Sequence, residues 1–383
     1  MTTTPCLTTF DLRKLADFAG RLETAESQDT ACGLDLSDEA ISDQSNPSAV
    51  RLSIPSIMVV ANLLVSRFRD VAITVQIPDS KGLNLQLARG GFFFALANRP
   101  RVSWTDKPPE EWNNVEKAWV NPFHPNDVKM RRAALVDVQN PDNDAWVIRA
   151  AFQRYLLSVP HPHTRPARHL RQELHRIANL WLSRRLRIKP GSEMVKTLVD
   201  CVEVFYQIVV NIPDHASLGS NTAGCSLGQV YLTLGGGRES HNRLHFTVLD
   251  SGVGIPRRVK AIYKDRSRKA EEALHDAVMG DLPRQVGGRG VGLTLVRQIA
   301  NQYTDDVSNI RGASSIHIVT NGDSDHSASC LEWNSESENP GTSSVEGLPI
   351  RGTLIWVSLG LQNRIPDEDS HQLELTFTEP IIG

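Results

Sequence analysis

The segment VLDSGVGIP, residues 248–256, carries the most informative pattern in this sequence. Alternating apolar residues at 244–249 predict a strand that ends at Asp250, and Gly252 and Gly254 follow directly. Glycines there let the backbone turn sharply and approach a flat ligand closely. A carboxylate at a strand end can accept a hydrogen bond from the exocyclic amine of adenine, although the same letters also fit an ordinary turn.

A glycine-rich loop, GGRGVGL at residues 287–293, precedes a predicted helix over residues 291–303. Gly288, Gly290 and Gly292 would expose backbone N–H groups beside a helix N-terminus, which is an arrangement that binds phosphate. Arg289 would add a positive charge, and Leu293 closes the motif. The spacing differs from that of the dinucleotide-binding fingerprint.

The third motif, VFYQIVVNIPDHA at residues 204–216, lies at the end of a helix predicted over residues 192–211. The neutral amide oxygen of Asn211 can ligate Mg²⁺, a hard cation, without repelling a triphosphate. His215 lies one turn later. Taken alone, Asn211 also fits a residue that caps the helix end.

The order of these motifs is more specific than any one of them. Together with Gly352 and Thr353 at the start of a last strand, they resemble the GHKL (Bergerat-fold) ATPase family of histidine kinases, gyrase-type topoisomerases and MutL proteins. The resemblance covers roughly residues 192–360. It implies an α/β chain, with a two-layer α+β sandwich of the Bergerat ATP-binding type in the C-terminal half, preceded by a small α/β domain.

The resemblance also implies the cofactors, ATP and Mg²⁺. Asp250 would bind adenine, Asn211 would ligate the metal, and residues 257–286 would form the ATP lid. The residues it assigns to the nucleotide are Asn211, His215, Asp250, Gly252, Gly254, Gly288, Arg289, Gly290, Gly292, Leu293 and Thr353.

The sequence departs from the family at the position of the general base. Hydrolysing members carry a glutamate four residues before the Mg²⁺ asparagine, and this chain has Gln207 there. Glutamine can orient a water molecule but cannot take its proton at neutral pH. Glu203, a further turn back, would be poorly placed to replace it. We therefore expect weak hydrolysis, with phosphotransfer or binding alone as open alternatives.

The N-terminal half alternates strands and helices. The pattern predicts a helix near residues 11–23, a loop at 37–48, a strand at 50–54, a helix at 56–68, a strand at 71–77 and a helix at 83–97. This half loosely resembles STAS domains, which partner with kinases of the anti-sigma type. The predicted divisions are an N-terminal domain at 1–158, a basic linker or helix at 159–190, the ATP-binding domain at 191–362 and a tail at 363–383.

Two further segments have a biased composition. Residues 165–189 are rich in arginine and predict a basic helix, either a solvated face or a surface for an acidic partner, a membrane or nucleic acid. Residues 321–347 are polar and predict a mobile insertion.

Bulk composition limits the class of protein. The chain has 383 residues and a formal net charge of −3, so charge alone does not make it a nucleic-acid-binding protein. Its five cysteines are scattered, and neither a signal peptide nor a membrane-length apolar run is evident. These features favour a cytoplasmic protein.

Three functions fit this pattern. The first is a nucleotide-gated signalling switch that acts on a protein partner. The second is a protein kinase that phosphorylates a separate serine- or histidine-bearing partner. The third, a slow ATP-driven conformational machine, is less favoured because no second domain carrying a transducer lysine is evident after residue 360. A homodimer is compatible with each.

Overall fold

The computed structural model of the chain describes residues 2–41, 50, 52–89, 92–97, 100–105, 179, 195–215, 228–235, 243–250, 252–280, 292–303, 313–337 and 339–360. Apart from residue 179, the basic segment at 165–189 lies outside these ranges, as does the predicted tail at 363–383. The predicted domain boundaries therefore stay predictions.

The N-terminal unit is a parallel sheet whose strands are connected by helices. The strands pair in chain order and are β1 (Thr2–Thr3), β2 (Cys32–Asp35), β3 (Ile73–Gln76) and β4 (Val102–Trp104). The helices are α1 (Leu12–Ser27), α2 (Asp38–Ile41), α3 (Ile54–Asn62), α4 (Lys81–Arg89) and α5 (Phe92–Ala97). The alternation of strands and helices that the sequence predicts is thus present.

Helix α3 begins where the sequence supplies a start signal. The side chain of Ser53 accepts a hydrogen bond from the Ser56 backbone N–H, and Pro55 occupies the first turn. The strand predicted at 50–54 is wrong in its described part, because Ser53 serves as this cap. After Asn62 the helix widens into one π-helical turn, Leu63–Arg67.

The C-terminal sheet is antiparallel and follows the strand order β5-β6-β10-β7-β8-β9. Its strands are β5 (Gly228–Gly235), β6 (Arg243–Asp250), β7 (Ser315–Asn321), β8 (Ser327–Asn334), β9 (Gly341–Glu346) and β10 (Thr353–Gly360). The helices of this half are α6 (Val195–His215), α7 (Ile255–Tyr263), α8 (Ala270–Met279) and α9 (Gly292–Asn301). A helical layer on an antiparallel sheet confirms the predicted fold class.

The central strands of this sheet are covered on both faces. On one face the ring of Phe246 in β6 stacks on Phe205 of α6, with ring centroids 5.5 Å apart. Because side chains alternate along a strand, Leu249 lies on the opposite face. There it joins Val319 and Leu354 in a buried cluster that also contains the core of the N-terminal unit.

Helix α3 lies between the two sheets. It contacts β6 and β10 as well as α1 and α5, and its residues from Pro55 to Asn62 are all buried. A helix that is apolar on every side requires cover on every side. The two halves of the chain therefore share one hydrophobic core.

The prediction of a mobile insertion is wrong. Residues 321–347 are not a mobile insertion, because β8 and β9 extend the sheet and β8 is buried on both faces. The described part of the predicted lid, residues 257–280, contains most of α7 and the whole of α8. Helix α8 buries Ala273 and Leu274 and contacts β8, so this part of the segment is a packed helical layer. Its role as an ATP lid stays a prediction.

Candidate functional site

The carboxylate of Asp250 lies at the end of β6, on the sheet face that the helical layer covers. The residue is only 8% exposed. Its Oδ1 accepts a hydrogen bond of 2.7 Å from the Gly252 backbone N–H. Burial raises the pKa of this carboxyl to about 7, against smaller lowering effects of backbone hydrogen bonds from Gly252 and Thr353. A buried acceptor of this kind can bind an amine that water would otherwise hydrate.

Gly352 lets the next strand approach Asp250. Its φ is +93°, and a Cβ atom there would lie 2.1 Å from the carbonyl oxygen of Asp250 and 2.7 Å from its Oδ1. Only glycine fits such an approach with this backbone conformation. Thr353 follows at once and pairs with Asp250 across β6 and β10.

The sheet register extends this corner into a row of buried polar residues. Thr353 pairs with Thr320 of β7, and Thr320 pairs with Ser329 of β8. The hydroxyl of Thr320 donates to the carbonyl of Gly352 at 2.8 Å and lies 3.2 Å from the Thr353 hydroxyl. It also accepts from the Ile255 N–H at 3.3 Å, which ties the start of α7 to the row.

Asn321 completes this corner behind Gly254. Gly254 has a φ of +78°, and a Cβ atom there would lie 1.5 Å from Asn321 Oδ1. The Asn321 Nδ2 atom is buried without a hydrogen-bond partner among the described residues. Sequence reasoning missed Thr320 and Asn321, because they enter the corner only through strand register, and no local motif marks them.

A second corner forms where α6 meets the N-terminus of α9. A Cβ atom on Gly292 would lie 2.9 Å from Gln207 Oε1 and 3.8 Å from Asn211 Oδ1. The glycine therefore allows the first turn of α9 to contact both amide side chains. Leu293, the next residue, is buried. The structure thus brings together Gln207, Asn211 and Gly292 from two separate motifs.

Gln207 is held by its neighbour on α6. Its Nε2 donates to Glu203 Oε1 at 2.6 Å. Only the NH₂ end of an amide can donate to a carboxylate, so the amide oxygen of Gln207 is left to face Gly292. Glu203 therefore acts on the orientation of Gln207.

Not every predicted residue can be placed. Gly288, Arg289 and Gly290 lie outside the described residues. His215 ends α6, and its side chain is not among those described. Their assignment to the nucleotide stays a prediction.

The second corner fits a magnesium ion that a nucleotide brings with it. Asn211 Nδ2 is buried and has no hydrogen-bond partner within the described residues. The same residues contain no cluster of three or more His, Cys, Asp or Glu side chains that could hold a metal. Mg²⁺ usually takes few protein ligands and completes its shell with phosphates and water. The single amide oxygen of Asn211 is compatible with this small number of protein ligands.

Comparison with known proteins places the site in a family. Residues 198–362 match the model described as histidine kinase-, DNA gyrase B-, and HSP90-like ATPase. No curated protein matches the chain, and the family match does not reach the N-terminal unit, where the STAS-like resemblance stays a prediction. Within the described residues, no helix is long and apolar enough to cross a membrane. Residues 198–362, which contain both corners, therefore belong to the GHKL-type ATPases and form an ATP-binding domain of that kind.

Proposed function

We propose that this protein is a nucleotide-gated regulator that binds ATP with Mg²⁺ and shows a different surface to a protein partner in each nucleotide state. The observation that carries the ATP assignment is the buried carboxylate of Asp250, fixed by the Gly252 N–H and closed in by Gly352. Asp250 would accept the adenine amine. Asn211 would ligate Mg²⁺ beside the phosphates.

The geometry of Gln207 supports binding with weak hydrolysis. A general base must hold a proton acceptor of suitable pKa within hydrogen-bond reach of the attacking water. Gln207 offers a neutral amide instead, and Glu203 holds that amide by its NH₂ end. Its oxygen can orient a water molecule but cannot remove the proton. A bound triphosphate would therefore persist, as a regulatory switch requires.

Calorimetric titration of the full chain with ATP and Mg²⁺ tests the proposal. We expect a saturable complex in the wild type that Asp250→Asn weakens at least about tenfold, because the amide turns an N–H toward the adenine amine. Asp200→Asn is the matched control. Its carboxylate accepts from the Tyr303 hydroxyl at 2.9 Å, about three turns of α6 before Asn211.

The outcomes separate the functions. Binding without phosphate release supports the regulator, whereas rapid release in the absence of a partner would contradict it. Transfer of labelled phosphate to a partner protein would favour the kinase instead. Failure of the wild type to bind ATP would refute the assignment of the site.

A further inference from the structure

Asn62 is a buried polar residue of the N-terminal unit that contacts the corner around Asp250 and Gly352. It is the last residue of α3 and is fully buried. The other buried residues of α3 from Ile57 to Ala61 are apolar, so a primary amide here is costly unless it is hydrogen-bonded. The hydrogen-bond partners of the Asn62 side chain therefore indicate its role.

The side chain of Asn62 pairs with the backbone beside Asp250. Its Nδ2 donates to the carbonyl of Arg351 at 2.8 Å and to the carbonyl of Asp250 at 3.3 Å. Its Oδ1 accepts from the Arg351 N–H at 3.3 Å. The amide thus pairs with Arg351 as a neighbouring strand would.

These bonds join the two chain segments whose spacing shapes the corner. Asp250 ends β6, and Arg351 directly precedes Gly352, where a Cβ atom would meet the Asp250 backbone. Both carbonyls are bound by one Nδ2 atom, so the position of one segment fixes that of the other. The amide reaches them from the face opposite the helical layer, through the shared core.

The orientation of Asn62 is itself controlled. The hydroxyl of Ser66, in the π-helical turn, lies 2.5 Å from the Asn62 carbonyl and 3.1 Å from its Oδ1. Widened helical turns of this kind often mark functional positions. The turn therefore supports the end of α3 at the point where it meets the nucleotide-binding sheet.

We propose that Asn62 is a positioning residue for adenine recognition, through which the N-terminal unit sets the affinity and base selectivity of the nucleotide site. The inference rests on the proposed binding of ATP at Asp250. Asn62 does not touch the ligand in this scheme. It fixes the backbone that aims the carboxylate, so its loss weakens the bond to the adenine amine and spares the phosphate contacts.

The test compares two nucleotides in the full chain. ATP carries the 6-amino group, and purine riboside triphosphate lacks it. For Asn62→Ala we expect ATP to bind about tenfold more weakly, the size expected for a lost buried hydrogen bond. Purine riboside triphosphate should bind within about twofold of its wild-type affinity, since it makes no amine–carboxylate bond. The preference for ATP over purine riboside triphosphate is therefore smaller in Asn62→Ala than in the wild type.

Asn84→Ala is the matched control. Asn84 is a buried asparagine of the same unit, and its Nδ2 donates to the Pro78 carbonyl at 2.7 Å, within the N-terminal half. We expect this variant to lose thermal stability and to keep the wild-type preference. If Asn62→Ala fails to fold, Ser66→Ala removes the hydroxyl that orients Asn62 and should reduce the preference about threefold.

Three results would overturn the inference. One is an unchanged affinity for both nucleotides in Asn62→Ala and in Ser66→Ala. Another is a proportional loss of both nucleotides in these variants, which would show a role in folding alone. In either case ATP binding and its loss in Asp250→Asn would still uphold the proposed function. A wild type that does not bind ATP would overturn both.

Discussion

The ligand-free fold and the proposed adenine ligand favour opposite protonation states of the Asp250 carboxyl group. Its pKa of about 7 lies above the ordinary value of 3.8, chiefly because burial penalises the charge. The folded protein therefore favours the protonated acid, while an adenine amine requires the carboxylate. The stability contributed by protonation is full below the ordinary pKa and is lost as pH rises through about 7.

This conflict predicts opposite effects of pH on stability and on binding. Without ligand, Asp250→Asn should gain stability relative to the wild type between pH 5 and pH 8 by about 2 kcal/mol, because only the wild type buries a charge at the higher pH. Denaturant unfolding at the two pH values measures this difference. A constant difference would contradict the raised pKa.

ATP affinity of the wild type should rise about tenfold between pH 6 and pH 8 as the carboxyl loses its proton. Titration calorimetry measures the profile. The nucleotide phosphates titrate in the same range, so Asp250→Asn serves as the reference. The part of the pH dependence of ATP affinity that Asp250→Asn lacks is due to Asp250. Equal pH dependence in the wild type and the variant would contradict the assignment of Asp250 to adenine.

Gln207 and Glu203 form a pair whose roles can be exchanged. In the double variant Glu203→Gln and Gln207→Glu, the hydrogen bond between the two positions is kept in reverse, and the acid lies nearer Gly292 and Asn211. We expect ATP hydrolysis to increase about a hundredfold, the lower range for a general base. Phosphate release measures it. Glu203→Gln alone should show no gain, and an inactive double variant would mean that the position does not reach the attacking water.

At the scale of elements, the site depends on how β6, β10 and β7 pair. Asp250, Thr353 and Thr320 share one row across three neighbouring strands. A shift of one residue in any strand would turn its polar residue to the other face. Gly352 directly precedes β10, and a Cβ atom there would meet the Asp250 backbone, so it tests this pairing directly.

Gly352→Ala should abolish ATP binding and destabilise the fold, because its Cβ would meet the Asp250 backbone. Gly347→Ala is the control, since Gly347 also has a positive φ, +77°, but its nearest neighbour to a Cβ would be 3.8 Å away. It should cost about 1 kcal/mol of stability, the penalty of the left-handed backbone alone, and leave binding intact. ATP titrations and thermal unfolding of both variants measure these effects. Equal losses of binding and stability in the two variants would contradict the close approach of Gly352 to Asp250.

The sequence predicts the parts of the site that local motifs carry. The strand ending at Asp250, Gly254 with its positive φ, and Gly352 before Thr353 are visible as short patterns. Thr320, Asn321 and Asn62 are not, because strand pairing and tertiary packing bring them to the corner from distant positions. Their place depends on register and on the shared core, which a single sequence does not display.

The β8–β9 hairpin was mispredicted for a different reason. The first half of the strand SASCLEWN alternates small polar and small apolar residues, so its composition resembles a loop. Both of its faces are nevertheless covered, by α8 on one side and by the shared core on the other. Small side chains suit such close packing, and the hydrophobic signal of the strand is correspondingly weak.

At the scale of the whole molecule, the N-terminal unit covers one face of the nucleotide-binding sheet. Leu249, Val319 and Leu354 are buried against it. Removing the unit would expose a contiguous apolar face, which is the usual cause of aggregation in a shortened protein.

A chain that begins at residue 191 should therefore aggregate and bind a hydrophobic dye. A chain that ends at residue 362 keeps the N-terminal unit and should stay monodisperse. Co-expression of residues 1–105 with the shortened chain should restore solubility, because it supplies α3 to the exposed face. Size-exclusion chromatography distinguishes the cases. A soluble, ATP-binding fragment that begins at residue 191 would show that the shared core is dispensable.

The pairing of Asn62 with Arg351 also has a consequence for biosynthesis. The two residues are 289 positions apart, so at about 5–20 residues per second the ribosome needs roughly 15–60 s to deliver the partner of an amide it has already made. Throughout that interval the nascent chain carries α3, an apolar helix, without the strands that shield it. We expect the emerging N-terminal half to be held by chaperones until translation reaches β10, and its yield in the cell to depend on how long that delay lasts.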